Sequence, residues 1–474
     1  MIDFTNVIDI MLGQNQVTQI EDSLGNVLWS ATPAVEYFYV EDISGAANTL
    51  SIVKNDADAP TIEVFKSTDM STWESMGNTD TTAITATVPA NGKLYLKAVC
   101  DRWGNDTKYN SISCISNYNV GGNSMSLLYG DNFDDKVVFP TNNAYVFTAL
   151  FGGDTHLKNA EDLEMPAETL VAACYYQMFK NCTGLVTAPT TLPAMTMTTS
   201  AYREMFYGCT SLTSTPTLPA TTMNSNCYQS MFSGCSSLTT APVLPATTLA
   251  GSCYTGMFEG CSRLTTAPVL SATTLANNCY QNMFNNCSSL TTAPSLPATT
   301  LTRSCYNTMF GGCSSLTTAP VLPATTLAIE CCRGMFQYCS SLTTAPALPA
   351  TTLEGTCYRE MFRSCTSLTT APSLPATTLT GSCYQSMFSG CTSLTTAPAL
   401  PATTLADSCY YGMFRNTGVK TVTTYANDIS ANNCLSNWLN SVPATGDFYN
   451  LGTATYLVGD PSGIPSGWTE HTSL

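Results

Sequence analysis

Charged residues and histidine are both scarce in this chain of 474 residues. Asp, Glu, Lys and Arg together make up 11% of it, against roughly 25% in ordinary soluble domains. There are only two histidines, His156 and His471, and 17 basic residues face 33 acidic ones. The basic surface that nucleic acids require is therefore absent, and histidine-based catalysis or zinc binding would depend on one or two side chains. We expect no nucleic-acid partner, no metal site and no cofactor.

Long hydrophobic runs are also missing. No stretch of 18 apolar residues occurs, so neither a transmembrane helix nor membrane insertion is expected. The first 16 residues, MIDFTNVIDIMLGQNQ, contain no basic residue, and Asp3 and Asp9 interrupt their apolar positions. This pattern does not favour a secretory signal peptide and predicts synthesis in the cytoplasm. Because thiols stay reduced there, the 22 cysteines are not expected to form a disulfide framework.

What the chain does contain is a repeat of 26 residues. From Cys227 onward a cysteine returns every 26 residues, and a second series follows eight residues after the first. The unit reads C-Y-x-x-M-F-x-x-C-[ST]-x-L-T-T-A-P-x-L-P-A-T-T-L-x-x-x, and earlier units that begin at Cys174 and Ala201 bring the number to ten. Such a period is typical of stacked repeats, whose units bury their apolar side chains only against one another. The sequence therefore predicts a repeat solenoid over residues 171–420.

Each unit is expected to combine a short parallel strand with a short helix or turn. Leu-Thr-Thr-Ala-Pro has a suitable length for a strand that ends at proline. In C-Y-x-x-M-F-x-x-C the apolar residues recur at i, i+4, i+5 and i+8, a spacing that keeps one face of a helix apolar. We interpret the cysteines as small buried hydrophobic residues that align in ladders. Disulfides between coils and metal binding are the alternatives.

The unit resembles the BspA-type leucine-rich repeats, whose pattern is AF-x-x-C-x-x-L-x-x-I-x-x-P. The segment MFSGCSSLTTAPVLP at residues 231–245 carries this pattern. The longer form CYxxMFxGCxSLTTAPxLPATTL is similar to repeat proteins of gut bacteria and their phages. The resemblance covers about half of the chain, from Cys174 to Lys420. It implies a leucine-rich-repeat-like solenoid used in surface attachment, and it implies no catalytic residues.

Other parts of the chain are assigned around the repeats. Strand-like runs separated by turn residues predict a small all-β sandwich, of the immunoglobulin-like kind, over residues 33–120, with Trp73 and Trp103 filling its core. Residues 121–170 are expected to form an N-terminal cap that contains a degenerate repeat. Residues 421–474 are expected to form a second degenerate repeat and a C-terminal cap, because an end unit must cover the core of the stack.

Negative charge is concentrated in front of the repeats. Residues 1–170 hold 8 basic and 23 acidic residues, whereas residues 171–474 hold 9 and 10. The simplest interpretation is that this charge keeps the region soluble. Residues 1–32 are interpreted as an attachment segment, because VTQIEDSLGNVLWS reads as two short strands around a Gly-Asn turn and is similar to N-terminal segments of phage structural proteins. Its apolar docking candidates are Val17, Ile20, Val27 and Trp29.

Positions that vary between units mark the candidate binding surface. The second and sixth residues after the first cysteine change freely, while the Cys, Tyr, Met, Phe, Leu and Pro positions are nearly constant. Because equal positions stack, both columns are expected on one outer face, where planar polar and aromatic side chains suit sugars. Tolerance of substitution at exposed positions explains the variation equally well. The candidate patch consists of Arg333, Gln337, Tyr338, Arg359, Arg363 and Gln385.

Three classes of function follow from these observations. The leading prediction is a phage virion protein, a fibre, spike or other appendage, whose N-terminal part docks to other virion proteins and whose repeats bind a host surface glycan or protein. A homo-oligomer is compatible with this role. The alternative is a bacterial surface adhesin. An enzyme such as a depolymerase is disfavoured, because glycoside hydrolysis needs paired carboxylates and residues 171–420 hold only six scattered acidic residues.

Overall fold

The structure is a computed structural model that describes residues 36–80 and 83–473. Within the first 35 residues it gives the backbone pairing of four short strands, β1 (Met11–Leu12), β2 (Asn15–Gln16), β3 (Gln19–Glu21) and β4 (Val27–Ser30). β3 pairs antiparallel with β4, and Ile20 lies opposite Trp29. Residues 1–32, for which an attachment role is predicted, thus contain two pairs of antiparallel strands, while Val17 and the Gly-Asn turn lie outside the described residues.

Two β-sheets follow, built from nine strands. They are β5 (Tyr39–Asp42), β6 (Asn48–Lys54), β7 (Glu63–Ser67), β8 (Glu74–Asn78), β9 (Ile84–Val88), β10 (Lys93–Ala98), β11 (Gly104–Asn105), β12 (Lys108–Cys114) and β13 (Tyr118–Asn123). One sheet has the order β13-β5-β10-β7-β8, and the other has the order β11-β12-β6-β9. Alternate residues of the strands are buried, among them Leu50, Ile52 and Ile112, as expected for sheets with one face on a core.

The two tryptophans of this region have different environments. Trp103 is fully buried, and its indole Nε1–H donates to the carbonyl oxygen of Leu127 at 2.9 Å. Trp73 is only half-buried and lies against the Lys97 ammonium, whose nitrogen is 4.1 Å from the indole centroid. The prediction that both side chains fill the core is therefore wrong for Trp73, whose ring packs against a cation at the surface.

Strand β13 joins these sheets to the repeats. It pairs antiparallel with β5 and parallel with β14 (Leu157–Asn159) and β15 (Leu163–Glu164) of the first, degenerate repeat. The predicted boundary between residues 120 and 121 therefore lies inside β13. The helix α1 (Ser126–Tyr129) is the only helix in the described part of the chain. The sheets thus continue into the repeat stack and cover its first unit.

The C-Y-x-x-M-F-x-x-C segments are chains of turns, which corrects the expectation of short helices. In the unit of Cys227, the amides of Gln229 and Met231 donate to the carbonyl three residues earlier, while those of Tyr228, Ser230 and Phe232 donate to the next unit. Every fourth residue has a positive φ, for example 53° at Ser230. The backbone therefore repeats every four residues, and both apolar residues of each turn point into the stack.

The remaining sides of each repeat contain parallel bridges between single residues, where short strands were expected. Thr240, Thr266, Thr292, Thr318 and Thr344 form one such ladder from unit to unit. The prolines that follow have no N–H, so a longer ladder cannot form there. Continuous parallel strands return at the C-terminal end as β16 (Thr421–Thr424), β17 (Gly446–Asn450) and β18 (Trp468–His471).

Identical side chains stack along the core of the repeats. Successive rings from Phe206 to Phe414 lie 5.5–5.8 Å apart and within 8° of parallel. Both cysteine series are fully buried and free. Thiols of the second series donate to phenylalanine carbonyls, as Cys261 does to Phe232 at 3.1 Å. The ladders therefore consist of reduced, packed cysteines in this structure.

Degenerate units close both ends of the stack. At the N-terminal end, the Phe151 ring stacks on Phe179 at 5.1 Å. At the C-terminal end, the amide of Phe414 donates to the carbonyl of Trp438, which takes the place of a repeat methionine. Trp438 is fully buried, and its indole donates to Gly463 at 2.7 Å. The phenylalanine ladder thus extends into the N-terminal degenerate unit, and the larger side chain of Trp438 covers the stack at the C-terminal end, as stacked repeats require.

Candidate functional site

The polar positions of the turn segments form one exposed side of the stack, which we call the turn face. Two residues of each four-residue turn point inward, and the other two point to solvent or lie half-buried. The turn backbone uses its own amides in hydrogen bonds, so binding at this face depends on side chains. Both predicted columns lie on the turn face.

Three arginines of the turn face surround one carboxylate. Arg363 Nη1 lies 3.4 Å from Glu360 Oε1, Arg359 Nη2 lies 3.8 Å from the same atom, and Arg333 Nε lies 3.9 Å from Oε2. Arg333 also lies 3.5 Å from Glu330. These five residues, which we call the arginine cluster, carry three positive and two negative charges.

Donors in the arginine cluster are incompletely used. A strong hydrogen bond between a guanidinium and a carboxylate measures about 2.7–2.9 Å, whereas the contacts to Glu360 are 3.4–3.9 Å. Among the described residues, Arg359 Nε is buried and has no hydrogen-bond partner. An unpaired buried donor costs about 1–3 kcal/mol. An anion with several oxygens could satisfy the terminal guanidinium donors that stay exposed, because guanidinium groups bind carboxylate and phosphate in a bidentate way.

The other residues of the predicted patch lie beside the cluster. Tyr338 is 48% exposed, and the Arg363 guanidinium carbon is 5.9 Å from its ring centroid. Gln337 is half-buried next to Tyr338, and Gln385 accepts a backbone hydrogen bond from Glu360 at 2.8 Å. The structure thus places all six predicted residues on one surface, with an exposed aromatic ring beside cationic groups. Glu330 and Glu360 were missing from the prediction.

A second charged cluster lies in the first two cysteine repeats. Glu204 occupies the same position in its repeat as Glu360, and it accepts hydrogen bonds from Lys180 at 2.7 Å, Gln177 at 2.8 Å and Arg203 at 3.3 Å. Burial alone would raise the pKa of Glu204, but these donors outweigh burial and hold the pKa below its ordinary value. The carboxylate is therefore saturated, in contrast to Glu360.

Comparison of the ten repeats of this chain with one another could have found this second cluster. Lys180 and Arg203 stand in the same two variable columns as the arginines of the first cluster. The missing signal is the column three residues after the first cysteine, where glutamate occurs only at Glu204 and Glu360 among the ten repeats. Each of the two glutamates has cationic neighbours in its own and an adjacent repeat.

A groove of about 780 Å³ lies where the sheets meet the first repeats. Its rim carries the exposed carboxylates of Glu161, Asp162, Glu164 and Glu168. Lys93 also lines the groove, and its Nζ lies 3.0 Å from Oε2 of Glu36, with which it forms an ion pair. The groove is therefore negatively charged and distant in sequence from the arginine cluster.

Over residues 36–80 and 83–473, no group of three or more His, Cys, Asp or Glu side chains is arranged to hold a metal ion. No helix in that part of the chain is long and apolar enough to cross a membrane.

Comparison with known proteins identifies the repeats. A family model of the BspA type leucine rich repeat region, which comprises six copies, matches residues 156–291, 202–343, 247–369 and 303–440. These matches together span residues 156–440, more than half of the chain. No curated protein and no solved structure matches.

Proposed function

The chain belongs to the BspA-type leucine-rich repeat family, and we propose that its repeats form a solenoid that binds a cell surface through the turn face. The arginine cluster carries this proposal. It holds guanidinium donors that its own carboxylates leave incompletely paired, and an exposed tyrosine lies beside them. The role is binding without catalysis.

The chemistry of the cluster favours an anionic group on a surface glycan. Guanidinium pairs recognise planar carboxylates and sulfates, and an exposed aromatic ring offers the apolar face on which a sugar ring packs. The cluster has one more positive than negative charge, while the turn face around it has few charged groups. A carboxylated or sulfated sugar satisfies both features.

Binding to immobilised acidic polysaccharide tests this proposal. Replacing Arg333, Arg359 and Arg363 by glutamine should weaken binding at least tenfold, because each charge-assisted hydrogen bond contributes about 1.5–3 kcal/mol and 1.4 kcal/mol corresponds to tenfold. The control is Lys180→Gln with Arg203→Gln, which removes cations of the same face whose donors Glu204 already occupies. Equal loss in both variants would contradict a specific site, and unchanged binding in the arginine variant would overturn it.

We further propose that the chain is a virion appendage of a phage, with the N-terminal part docked to the particle and the repeats projecting outward. The paired strands β3 and β4 and the acidic groove support a docking role, because a negatively charged groove suits a basic segment of a neighbouring virion protein. The second candidate is an adhesin on a bacterial surface, which the family membership favours.

Mass spectrometry of purified particles separates the two candidates. The virion proposal predicts peptides of this chain in particles that have been washed in high salt. Their absence from particles, together with their presence in the surface fraction of bacterial cells, would favour the adhesin. Neighbouring portal, capsid or tail genes would support the first outcome, and a neighbouring secretion or anchoring system would support the second.

A further inference from the structure

A second side of the repeat stack carries no charge. It is formed by Ala-Pro-x-Leu-Pro segments of eight successive repeats, of which the first begins with Thr215 in place of alanine and the third ends with Ser271 in place of proline, and we call it the proline face. None of the eight segments contains Asp, Glu, Lys or Arg. The position x points outward in every repeat and is exposed. Such an extended uncharged surface is unusual for a protein that stays monomeric.

The position x carries valine in three repeats and a smaller or more polar side chain in the other five. Val243, Val269 and Val321 are 78%, 72% and 76% exposed. The other five repeats carry smaller or more polar residues at this position, namely Thr217, Ser295, Ala347, Ser373 and Ala399. Shallow grooves of about 460 and 330 Å³ lie at Ser295 and Ser373, between the prolines of adjacent repeats. The proline face therefore has apolar knobs and proline-lined holes.

Knobs and holes match when two copies of the face run antiparallel. In order along the stack the eight residues are Thr, Val, Val, Ser, Val, Ala, Ser and Ala. A twofold axis between the fourth and fifth repeats pairs Val243 with Ser373, Val269 with Ala347, Val321 with Ser295 and Thr217 with Ala399. This antiparallel register covers all eight repeats, and it gives every valine a small partner. A parallel in-register arrangement would place each valine against another valine.

We propose that the proline face is the interface of a twofold-symmetric, antiparallel dimer of this chain. A twofold interface must be self-complementary, with each contact occurring twice, and the knob-and-hole order has this property. Eight repeats at ~4.8 Å and five residues at ~3.3 Å give a face of about 600 Å² per partner. The total of about 1,200 Å² lies above the roughly 1,000 Å² that a specific interface needs. The absence of charge removes the cost of burying ions.

Light scattering after size-exclusion chromatography tests the dimer. The full chain should have twice the monomer mass, and Val269→Lys should halve it, because a buried, unpaired ammonium is placed opposite Ala347. Val99→Lys is the matched control, since Val99 in the N-terminal sheets is 78% exposed, close to the 72% of Val269, and this variant should stay dimeric. A monomeric wild-type chain, or a dimer that survives Val269→Lys, would overturn the proposal. If the wild-type chain is monomeric and binds a neutral polysaccharide, the proline face would be a binding surface for that ligand and not a dimer interface.

Cysteine cross-linking tests the register. A chain with Val269→Cys and Ala347→Cys should form a covalent dimer on mild oxidation, because disulfides need Cα atoms within about 7 Å. The pair Val269→Cys and Ala399→Cys, displaced by two repeats or about 10 Å, should cross-link much less. Native cysteines interfere little, since 21 of them are buried and only Cys100 is partly accessible. Equal cross-linking of both pairs would contradict the register.

Discussion

At the scale of single residues, the repeats depend on a backbone conformation that few side chains favour. Three residues per repeat have φ between about 50° and 80°, as at Asn278, Asn282 and Asn286. These positions are rich in Gly, Asn and Ser. Asparagine and glycine enter the left-handed region most readily. The choice of residue at these largely half-buried positions therefore stabilises the turns, although the apolar core is formed by other side chains.

Gly260 offers a direct test of this conformation. It has φ of 73°, and a Cβ atom there would meet no neighbour closer than 3.7 Å. Gly260→Val should therefore destabilise the protein by about 1–2 kcal/mol through backbone strain alone, measured as a shift of the urea unfolding midpoint. Gly260→Asn should cost much less, because Asn286 holds the equivalent position in the next repeat. Equal losses in both variants would indicate a steric cause.

The buried thiols predict a loss of stability in alkaline solution. Burial raises the pKa of Cys261 from its ordinary 9.0 to about 12, and burial raises the pKa of Cys209 similarly. Below pH 9 the folded and unfolded chains bind the same protons at these groups. Above pH 9 the unfolded chain loses protons that the folded chain retains, so stability falls as the pH rises from about 9 to 12.

Urea unfolding at pH 7, 8, 9 and 10 measures this dependence. The midpoint should be constant up to pH 8 and should fall by pH 10, and iodoacetamide should label all 22 cysteines only in denaturant. The effect should be large because two ladders contribute together. A midpoint independent of pH up to 10 would contradict the burial of neutral thiols.

At the scale of structural elements, the sequence shows the repeat more clearly than its conformation. The 26-residue period, the buried ladders and the degenerate ends follow from the spacing of Cys, Phe and Leu. The prediction of a helix in the C-Y-x-x-M-F-x-x-C segment was wrong, because apolar residues at i, i+4, i+5 and i+8 fit both a helix and a series of four-residue turns. The deciding signal was the strict period of four, with Gly, Asn or Ser before most of the apolar pairs, since a helical stripe drifts with a period of 3.6.

The arginine cluster was predicted only in part, for a related reason. Column comparison finds exposed residues that vary, so it found Arg333, Arg359 and Arg363. It does not show which charged groups form ion pairs, because some pairs connect adjacent repeats and depend on the side-chain conformations. Glu204 and Glu360 occupy equivalent positions in their repeats. The carboxylate of Glu204 is saturated with hydrogen bonds, whereas that of Glu360 is shared by three arginines at longer distances. The difference lies in distances that the sequence does not encode simply.

Removal of a whole repeat tests the independence of the units. Deletion of residues 279–304 joins Asn278 to Cys305 and restores the same contacts between neighbours, because each repeat bonds only to adjacent repeats. This variant should fold, with an unfolding midpoint close to that of the wild type. Deletion of residues 279–291, half a repeat, should prevent folding of the stack. The comparison uses circular dichroism and urea unfolding, and folding of both variants would contradict the 26-residue unit.

At the scale of the whole molecule, the chain separates three surfaces by charge. The N-terminal region is strongly acidic, the turn face carries a small cationic cluster, and the proline face carries no charge. Because β13 continues from the sheets into the first repeat, the acidic region and the repeats form one connected structure. An antiparallel dimer through the proline face would carry two arginine clusters and would place the two acidic N-terminal regions at opposite ends.

Binding of the full chain to intact bacterial cells measures recognition by the turn face. Fluorescently labelled wild-type protein should bind cells at physiological salt, and the Arg333→Gln, Arg359→Gln, Arg363→Gln variant should bind at least tenfold more weakly, which corresponds to a loss of about 1.4 kcal/mol or more. The Lys180→Gln, Arg203→Gln variant should bind like the wild type. Equal binding of the arginine variant and the wild type would contradict the assignment of surface recognition to the turn face.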